Sequence, residues 1–169
     1  MLWPLGVVAL IVFADRVTKI AIRHAFGFGD NVSVVDGLLR IVHTENPGAA
    51  FGILAEGNVV LRSIILVGVS GLVLLFVARA LWSSGSDHVS PLNRSGLALI
   101  LGGAAGNLYD RLVHGSVTDF IEVYHRSWSF PAFNIADSAI TVGAVLLLFD
   151  VFRSGPSKNL SKRAGVVHE

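Results

Sequence analysis

Four long apolar runs, at residues 2–22, 59–81, 95–112 and 132–152, restrict this chain more than any other feature. A helix of about 20 apolar residues is long enough to cross a hydrocarbon core roughly 30 Å thick. Inside that core every backbone polar group must be satisfied within the segment, so such runs read as helices. Charged residues make up 15% of the chain and hydrophobic ones 53%, whereas a soluble domain carries about 25% charge. The sequence therefore predicts an all-α integral membrane protein, with residues 1–153 forming one membrane-embedded domain of four transmembrane helices. The first run is not read as a signal peptide, because it lacks a basic start and no A-x-A-like cleavage site follows it. Residues 154–169 are polar, with Gly155, Pro156 and scattered Ser, Lys and Arg. They are expected to be a disordered tail.

Several classes of chemistry are excluded at once. With no cysteine there is no disulfide, thiolate nucleophile or cysteine-ligated metal. The histidines, His24, His43, His88, His114, His125 and His168, fall in no HExxH or similar spacing, so no metal site is expected. A net charge of +1, with basic residues scattered over loops and tail, gives no footprint for nucleic acid.

What remains is a small set of polar residues set against apolar runs. Asp137 opens the run Ala139 to Phe149, and a carboxylate in hydrocarbon costs on the order of several kcal/mol, which makes it a functional-site candidate. Asp119 lies just past the third apolar run, where the chain can return it to the same depth. The plainer alternative is that each aspartate caps a helix end. Asp15 and Lys19 are four apart and share a helix face, where they can pair; they either neutralise each other or brace a neighbouring site. In Gly102-Gly-Ala-Ala-Gly-Asn-Leu-Tyr-Asp-Arg111, Gly102 and Gly106 form a small-xxx-small pair that permits close helix approach. Asn107 shares a face with Asp110 and Arg111. A structural ion pair between Asp110 and Arg111 is the commoner outcome for such neighbours, and a guanidinium free to bind a substrate carbonyl is the alternative.

Between the first two runs, at about residues 30–56, the pattern changes to that of a small sheet. Asn31-Val-Ser-Val-Val alternates at period two, Asp36-Gly37 follows, and Leu38 to Thr44 is again rich in β-formers. An Asp-Gly pair between such runs is a hairpin signal. Asn46, in a segment of turn-formers, can offer both donor and acceptor to a peptide laid against the sheet. The third helix is expected to fray at His114-Gly115. The connector 116–131 reads as an amphipathic segment, Ile-Glu-Val-Tyr-His-Arg-Ser-Trp, with Tyr124 and Trp128 suited to a headgroup belt. The basic cluster of Arg153, Lys158, Lys162 and Arg163, with Arg79 and Arg94, outweighs Arg23, Arg40, Arg62 and Arg126. It places both termini in the cytoplasm and the hairpin and both aspartates near the outer face.

Taken together, Asp15-x-x-x-Lys19, Asn46-Pro-Gly-Ala-Ala-Phe51, Gly102 to Arg111, Val117-Thr-Asp-Phe120 and Phe133-Asn-Ile-Ala-Asp-Ser138 resemble the motifs of lipoprotein signal peptidase, or signal peptidase II. This is a family of bacterial inner-membrane aspartic proteases. The five blocks occur in the family's order and cover nearly the whole chain apart from the tail. The resemblance implies a catalytic pair, Asp119 and Asp137, with Asn46, Asn107, Arg111 and Asn134 lining the substrate site and Asp15, Lys19 and Asp110 supporting it. It implies four transmembrane helices with a periplasmic β cradle and a periplasmic arm. The implied substrate is a prolipoprotein whose lipobox cysteine carries diacylglycerol, cut just before that cysteine without metal or organic cofactor. Membrane lipid is the other expected partner, and the chain is expected to act as a monomer.

Two carboxylates in close contact cannot both ionise readily and share one proton, which suits acid–base hydrolysis by an activated water. A small transporter using Asp119, Asp137 and Arg111 as an ion relay is the rival from another class. A relay would place its acids near mid-membrane, whereas these gather toward one face beside a sheet. An intramembrane protease of the presenilin sort lacks its G-x-G-D motif, and a purely structural anchor leaves the ionisable residues of the spans without a role.

Overall fold

The computed structural model describes residues 2–48, 59–83 and 90–154. In chain order the elements are α1 (Trp3–Ala25), β1 (Asn31–Val35), β2 (Leu39–Asn46), α2 (Val59–Ser83), α3 (Pro91–His114), β3 (Val117–His125), β4 (Trp128–Ser129) and α4 (Ile135–Ser154). Among the described residues, two helical segments, Val60–Ser83 and Ile135–Arg153, are long and apolar enough to cross a membrane by length and composition.

Local chemistry sets most boundaries. α3 starts earlier than the apolar run at Ser95 suggests, because the Ser90 hydroxyl accepts from the Asn93 N–H at 3.0 Å and Pro91 occupies the first turn. It stops where Gly115, at φ 75°, returns its N–H to the Arg111 carbonyl at 3.2 Å. β1 and β2 form the expected hairpin through Asp36-Gly37, with Gly37 at φ 73°. The Tyr124 hydroxyl accepts from the Gly37 N–H at 3.0 Å and pins the turn to β3.

The connector 116–131, amphipathic by sequence, folds as strands. It supplies β3 and β4, and the four strands pair antiparallel in the order β1-β2-β3-β4. Ile121, Val123 and Tyr124 of that segment belong to β3, whose first four residues, Val117 to Phe120, are all buried. What holds them there is pairing with β2, distant in sequence, with Asn46 opposite Val117, Glu45 opposite Thr118 and Thr44 opposite Asp119. The fold is therefore helical with a four-stranded antiparallel sheet that draws on both sides of α2 and α3, rather than one local β region. Residues 49–58, which take in the end of the expected β region, residues 84–89 and residues 155–169 lie outside the described residues, as does any part of the expected arm that falls in them.

α3 is the hub of the helices and packs against α1, α2 and α4. Gly102 and Gly106 do face a neighbouring helix closely. A Cβ on Gly102 would lie 2.9 Å from Ile11, and one on Gly106 would lie 2.7 Å from the Asp15 carboxylate. The packing is inverted relative to a water-soluble core. The largest fully buried side chains are Lys19, Asn134, Thr118, Asp15 and Asp110, while Phe13, Leu72, Phe76 and Leu148 face outward. An apolar exterior around a polar interior suits hydrocarbon surroundings and opposes the usual partition of side chains in water.

Candidate active site

The site lies where the start of α4, the start of β3, the end of β2 and the inner faces of α1 and α3 meet. The chain reaches it through Phe133, whose carbonyl accepts from the Phe120 and Ile121 N–H groups at 3.0 and 2.8 Å. Its own N–H donates to the Ile121 carbonyl at 2.9 Å. This clamp sets the next residue, Asn134, directly beside Asp119.

Asn134 joins the two carboxylates. Its Nδ2 donates to Asp119 Oδ1 at 2.7 Å. At the same time it caps α4. The Asp137 N–H donates to Asn134 Oδ1 at 2.9 Å, and the Asn134 N–H donates to Asp137 Oδ2 at 3.2 Å. This is the reciprocal geometry of a capping box, built from Asn and Asp. Two further amides complete the pair, with Asn46 Nδ2 donating to Asp119 Oδ2 at 3.1 Å and Asn107 Nδ2 to Asp137 Oδ1 at 2.7 Å. Asn46 is itself oriented, because its Oδ1 accepts from the Gly48 N–H at 3.0 Å. Its approach to Asp119 follows from the sheet register, which puts Asn46 and Asp119 on one face of adjacent strands.

Burial and the nearby Asp137 charge raise the Asp119 carboxyl to about 7, against the opposing pull of the Asn46 and Asn134 amides. Asp119 is almost fully buried and Asp137 is half-buried. Asp119 so placed can hold a proton near neutrality beside the Asp137 carboxylate.

Behind the pair lies a buried charge cluster. Lys19 Nζ donates to Asp15 Oδ2 at 2.9 Å and to Asn107 Oδ1 at 3.0 Å, and it lies 2.7 Å from Asp110 Oδ2. That last approach is poorly aligned for a hydrogen bond and acts as an ion pair. Asp15 Oδ1 accepts from the Ala136 N–H at 3.2 Å, so α1 also holds the start of α4.

The Asp110–Arg111 ion pair expected as the commoner outcome does not form. Consecutive helical residues point in different directions, and Asp110 turns to α1, where it pairs with Arg16, Lys19 and Arg23. Arg111 lies within electrostatic reach of Asp110, Asp119 and Asp137. Its NH1 donates to the Asn107 carbonyl at 3.4 Å, and its Nε has no partner among the described residues.

Sequence reasoning missed the far side of β3. Glu45 accepts from the Ser116 and Thr118 hydroxyls at 2.6 and 2.7 Å. Arg23 Nε donates to Thr118 Oγ1 at 2.7 Å and lies 3.6 Å from Glu45. Burial pushes the Glu45 carboxyl up, but the two hydroxyls and Arg23 outweigh it and hold the group below its usual range. These contacts tie the sheet to α1. No local spacing announces them, because Glu45 and Thr118 meet only through strand register. Among the described residues no group of His, Asp and Glu has the makings of a metal site.

Comparison with known proteins follows the same outline. The profile of a family described as Signal peptidase (SPase) II matches residues 7–153. The chain is 45% identical over 148 residues to a lipoprotein signal peptidase from Solibacter usitatus, covering 88% of this chain and 89% of that one. It is 38% identical over 148 residues to one from Neisseria meningitidis serogroup C, with 88% and 87% covered. It is 42% identical over 151 residues to one from Burkholderia ambifaria, again with 88% and 87% covered. Among solved structures, a bacterial membrane enzyme determined by the in meso method at 2.3 Å resolution superposes with a TM-score of 0.77 at 29% identity, over 92% of each chain. A second such enzyme structure, at 1.9 Å, gives 0.75 at 28% identity, over 90% of this chain and 94% of that one.

Proposed function

Because the chain belongs to the signal peptidase II family of proteases, we propose that it is an aspartic endopeptidase. It removes the signal peptide from diacylglyceryl-modified prolipoproteins by cutting before the lipidated lipobox cysteine. The observation that carries this reading is the joining of Asp119 and Asp137 through Asn134, with an amide donor on each outer oxygen.

The dyad holds one proton. Burial and the neighbouring charge make Asp119 its carrier near neutrality, and Asp137 serves as the base. A water between them attacks the carbonyl carbon of the scissile bond while Asp137 takes a proton from it. Asp119 gives its proton to the carbonyl oxygen as the tetrahedral species forms. When the C–N bond breaks, the proton held by Asp137 passes to the leaving amine. One hydroxyl of the tetrahedral species returns its proton to Asp119, which leaves the carboxylic acid product and restores the dyad. Asn107 and Asn134 line the site and hold the carboxylates. Asn46 and Arg111 retain donor capacity toward a substrate backbone. Asp15, Lys19 and Asp110 support the machinery from behind.

All four helices span the bacterial inner membrane, with termini in the cytoplasm and the sheet and dyad near the periplasmic face. The apolar exterior of the helices supports this placement, as does the basic bias of the opposite end. The protein acts as a monomer on substrates that reach it through lipid. Both carboxylates sit where helix ends meet the sheet, a position that favours a bulky peptide substrate over an ion relay. Incubating the purified protein with a diacylglyceryl-modified prolipoprotein should yield the shortened lipoprotein and the free signal peptide. Failure to cut that substrate, beside normal cleavage by a known relative, would refute the proposal.

A further inference from the structure

Lys19 is a fully buried ammonium, and its surroundings assign it a more specific task than neutralising Asp15. An ammonium donates and cannot accept. Since Lys19 Nζ lies 3.0 Å from the Asn107 side chain, the amide must turn its oxygen toward it. That choice leaves Nδ2 pointing the other way, and there it meets Asp137 Oδ1 at 2.7 Å. Asn134 Nδ2 adds a longer contact to the same Asn107 oxygen, at 3.3 Å, but it is directed chiefly at Asp119.

We propose that Lys19 is a positioning residue for cleavage: it locks the flip of the Asn107 amide and so presents an N–H, rather than a carbonyl oxygen, to the Asp137 carboxylate. The proposal rests on the dyad reading above. The opposite flip would set an oxygen against a carboxylate at hydrogen-bond distance, which is repulsive, and would leave Oδ1 of the base without its donor from α3 while the helix cap still holds Oδ2. Positioning needs a rigid donor, and Lys19 is one. Asp15 and Asp110 hold the ammonium from two helices at 2.9 and 2.7 Å. Asp110 is held in turn by Arg16 and Arg23. Gly106 keeps α1 close enough for this, since a Cβ there would collide with the Asp15 carboxylate. A bystander ion pair has no need of the third contact to Asn107.

Removing Lys19 alone strands the buried Asp15 charge and risks misfolding, so the test compares D15N with D15N/K19M, in which Asp15 is already neutral and Asp110 keeps its pairs with Arg16 and Arg23. With a diacylglyceryl-modified prolipoprotein, kcat of the double variant should fall about ten- to a hundredfold below that of D15N, the range typical of groups that orient a functional ligand from behind. KM should stay within about twofold and the melting midpoint should be retained. Adding Asn107→Leu to D15N/K19M should then cost little more, because both changes release the same carboxylate. The proposal is overturned if D15N/K19M cleaves as fast as D15N. It is overturned equally if the Asn107→Leu loss multiplies in full on the Lys19 loss, or if the loss follows a lowered melting midpoint. Asp137→Asn, run alongside, reports on the underlying reading alone. Near-normal cleavage by that variant sinks the dyad and the Lys19 role with it, whereas an inactive Asp137→Asn beside an unimpaired D15N/K19M sinks only the role of Lys19.

Discussion

Asn134 and Asp137 exchange hydrogen bonds at the start of α4, with the Asp137 N–H on Asn134 Oδ1 at 2.9 Å and the Asn134 N–H on Asp137 Oδ2 at 3.2 Å. Helix capping and a role in chemistry, which stand as alternatives for an aspartate at such a position, are therefore compatible in this one residue. The cap fixes the Asp137 backbone and one carboxylate oxygen, and the helix N-terminus favours negative charge there. The other oxygen takes its donor from α3. A group held so closely by its own helix suits a base that must not rotate away.

Asp119→Asn and Asp137→Asn should fold and bind substrate but cut it about a hundred- to ten-thousandfold more slowly, the range of general acid–base catalysis. The two residues act as a unit, so the double variant should be scarcely slower than either single one. Single-turnover cleavage of a lipidated substrate measures this. Near-normal cleavage by either variant would end the aspartic mechanism for this chain.

Asp119 links pH to both stability and rate. The folded chain keeps the Asp119 proton up to about 7, whereas an unperturbed aspartate releases it near 3.8. Between those values the folded state binds more protons than the unfolded one, so this group lowers stability as pH rises through the window. Asp119→Asn stays neutral and should melt higher than the parent above pH 7, with the advantage fading toward pH 4. The gain is at most about 4 kcal/mol, less about 1 kcal/mol for the amide contact an Asn side chain cannot accept. In the parent, kcat/KM should decline as pH rises through about 7. An alkaline limb unchanged in position with Asp119 replaced would show that another group titrates there.

Much of this site is legible in the sequence, because short motifs at helical spacing or helix ends carry it. Asp15 with Lys19 is set by a single helix, and that contact follows from residue spacing alone; Asn134 and Asp137 enter through a motif, and their reciprocal cap comes from the structure. What is not legible depends on partners brought from afar. The orientation of Asp110 away from Arg111 requires α1 to supply three cations, and nothing near residue 110 announces them. β3 looks amphipathic in isolation, and only pairing with β2 makes it a strand. Glu45 likewise gains its hydroxyl donors through that register.

Arg111→Ala should weaken cleavage while leaving the melting midpoint close to that of the parent, since no ion pair among the described residues depends on this guanidinium. A loss of tenfold or more, about 1.4 kcal/mol in the barrier, would fit a substrate contact. Asp110→Ala is the contrast. It leaves buried Lys19 and half-buried Arg16 and Arg23 without their shared anion and should cost about 3–5 kcal/mol of stability. If Arg111→Ala unfolds as readily as Asp110→Ala, Arg111 belongs to the scaffold.

Orientation can be read with reporters. A fusion at Ser127, in the turn between β3 and β4, should report the periplasm, and one following Arg153 the cytoplasm. The reverse pattern would overturn the placement of the dyad near the outer face.

Gly103 gives a test of how tightly the site is built. It sits on the face of α3 that meets α4, and a Cβ there would lie 2.3 Å from the Ala136 carbonyl oxygen. Backbone cannot yield as a side chain tip can, so Gly103→Ala must push the start of α4 outward. Ala136 is the residue before Asp137, and its N–H is the one bonded to Asp15. The substitution should therefore lower both stability and kcat, although residue 103 touches neither carboxylate. Gly68, in α2, has open space where a Cβ would go. Gly68→Ala should leave cleavage unchanged and gain about 0.5–1 kcal/mol from helix propensity. Melting curves and kcat for the two alanine variants decide the matter, and a Gly103→Ala enzyme as stable and as fast as Gly68→Ala would mean that α3 and α4 are not in contact at this level.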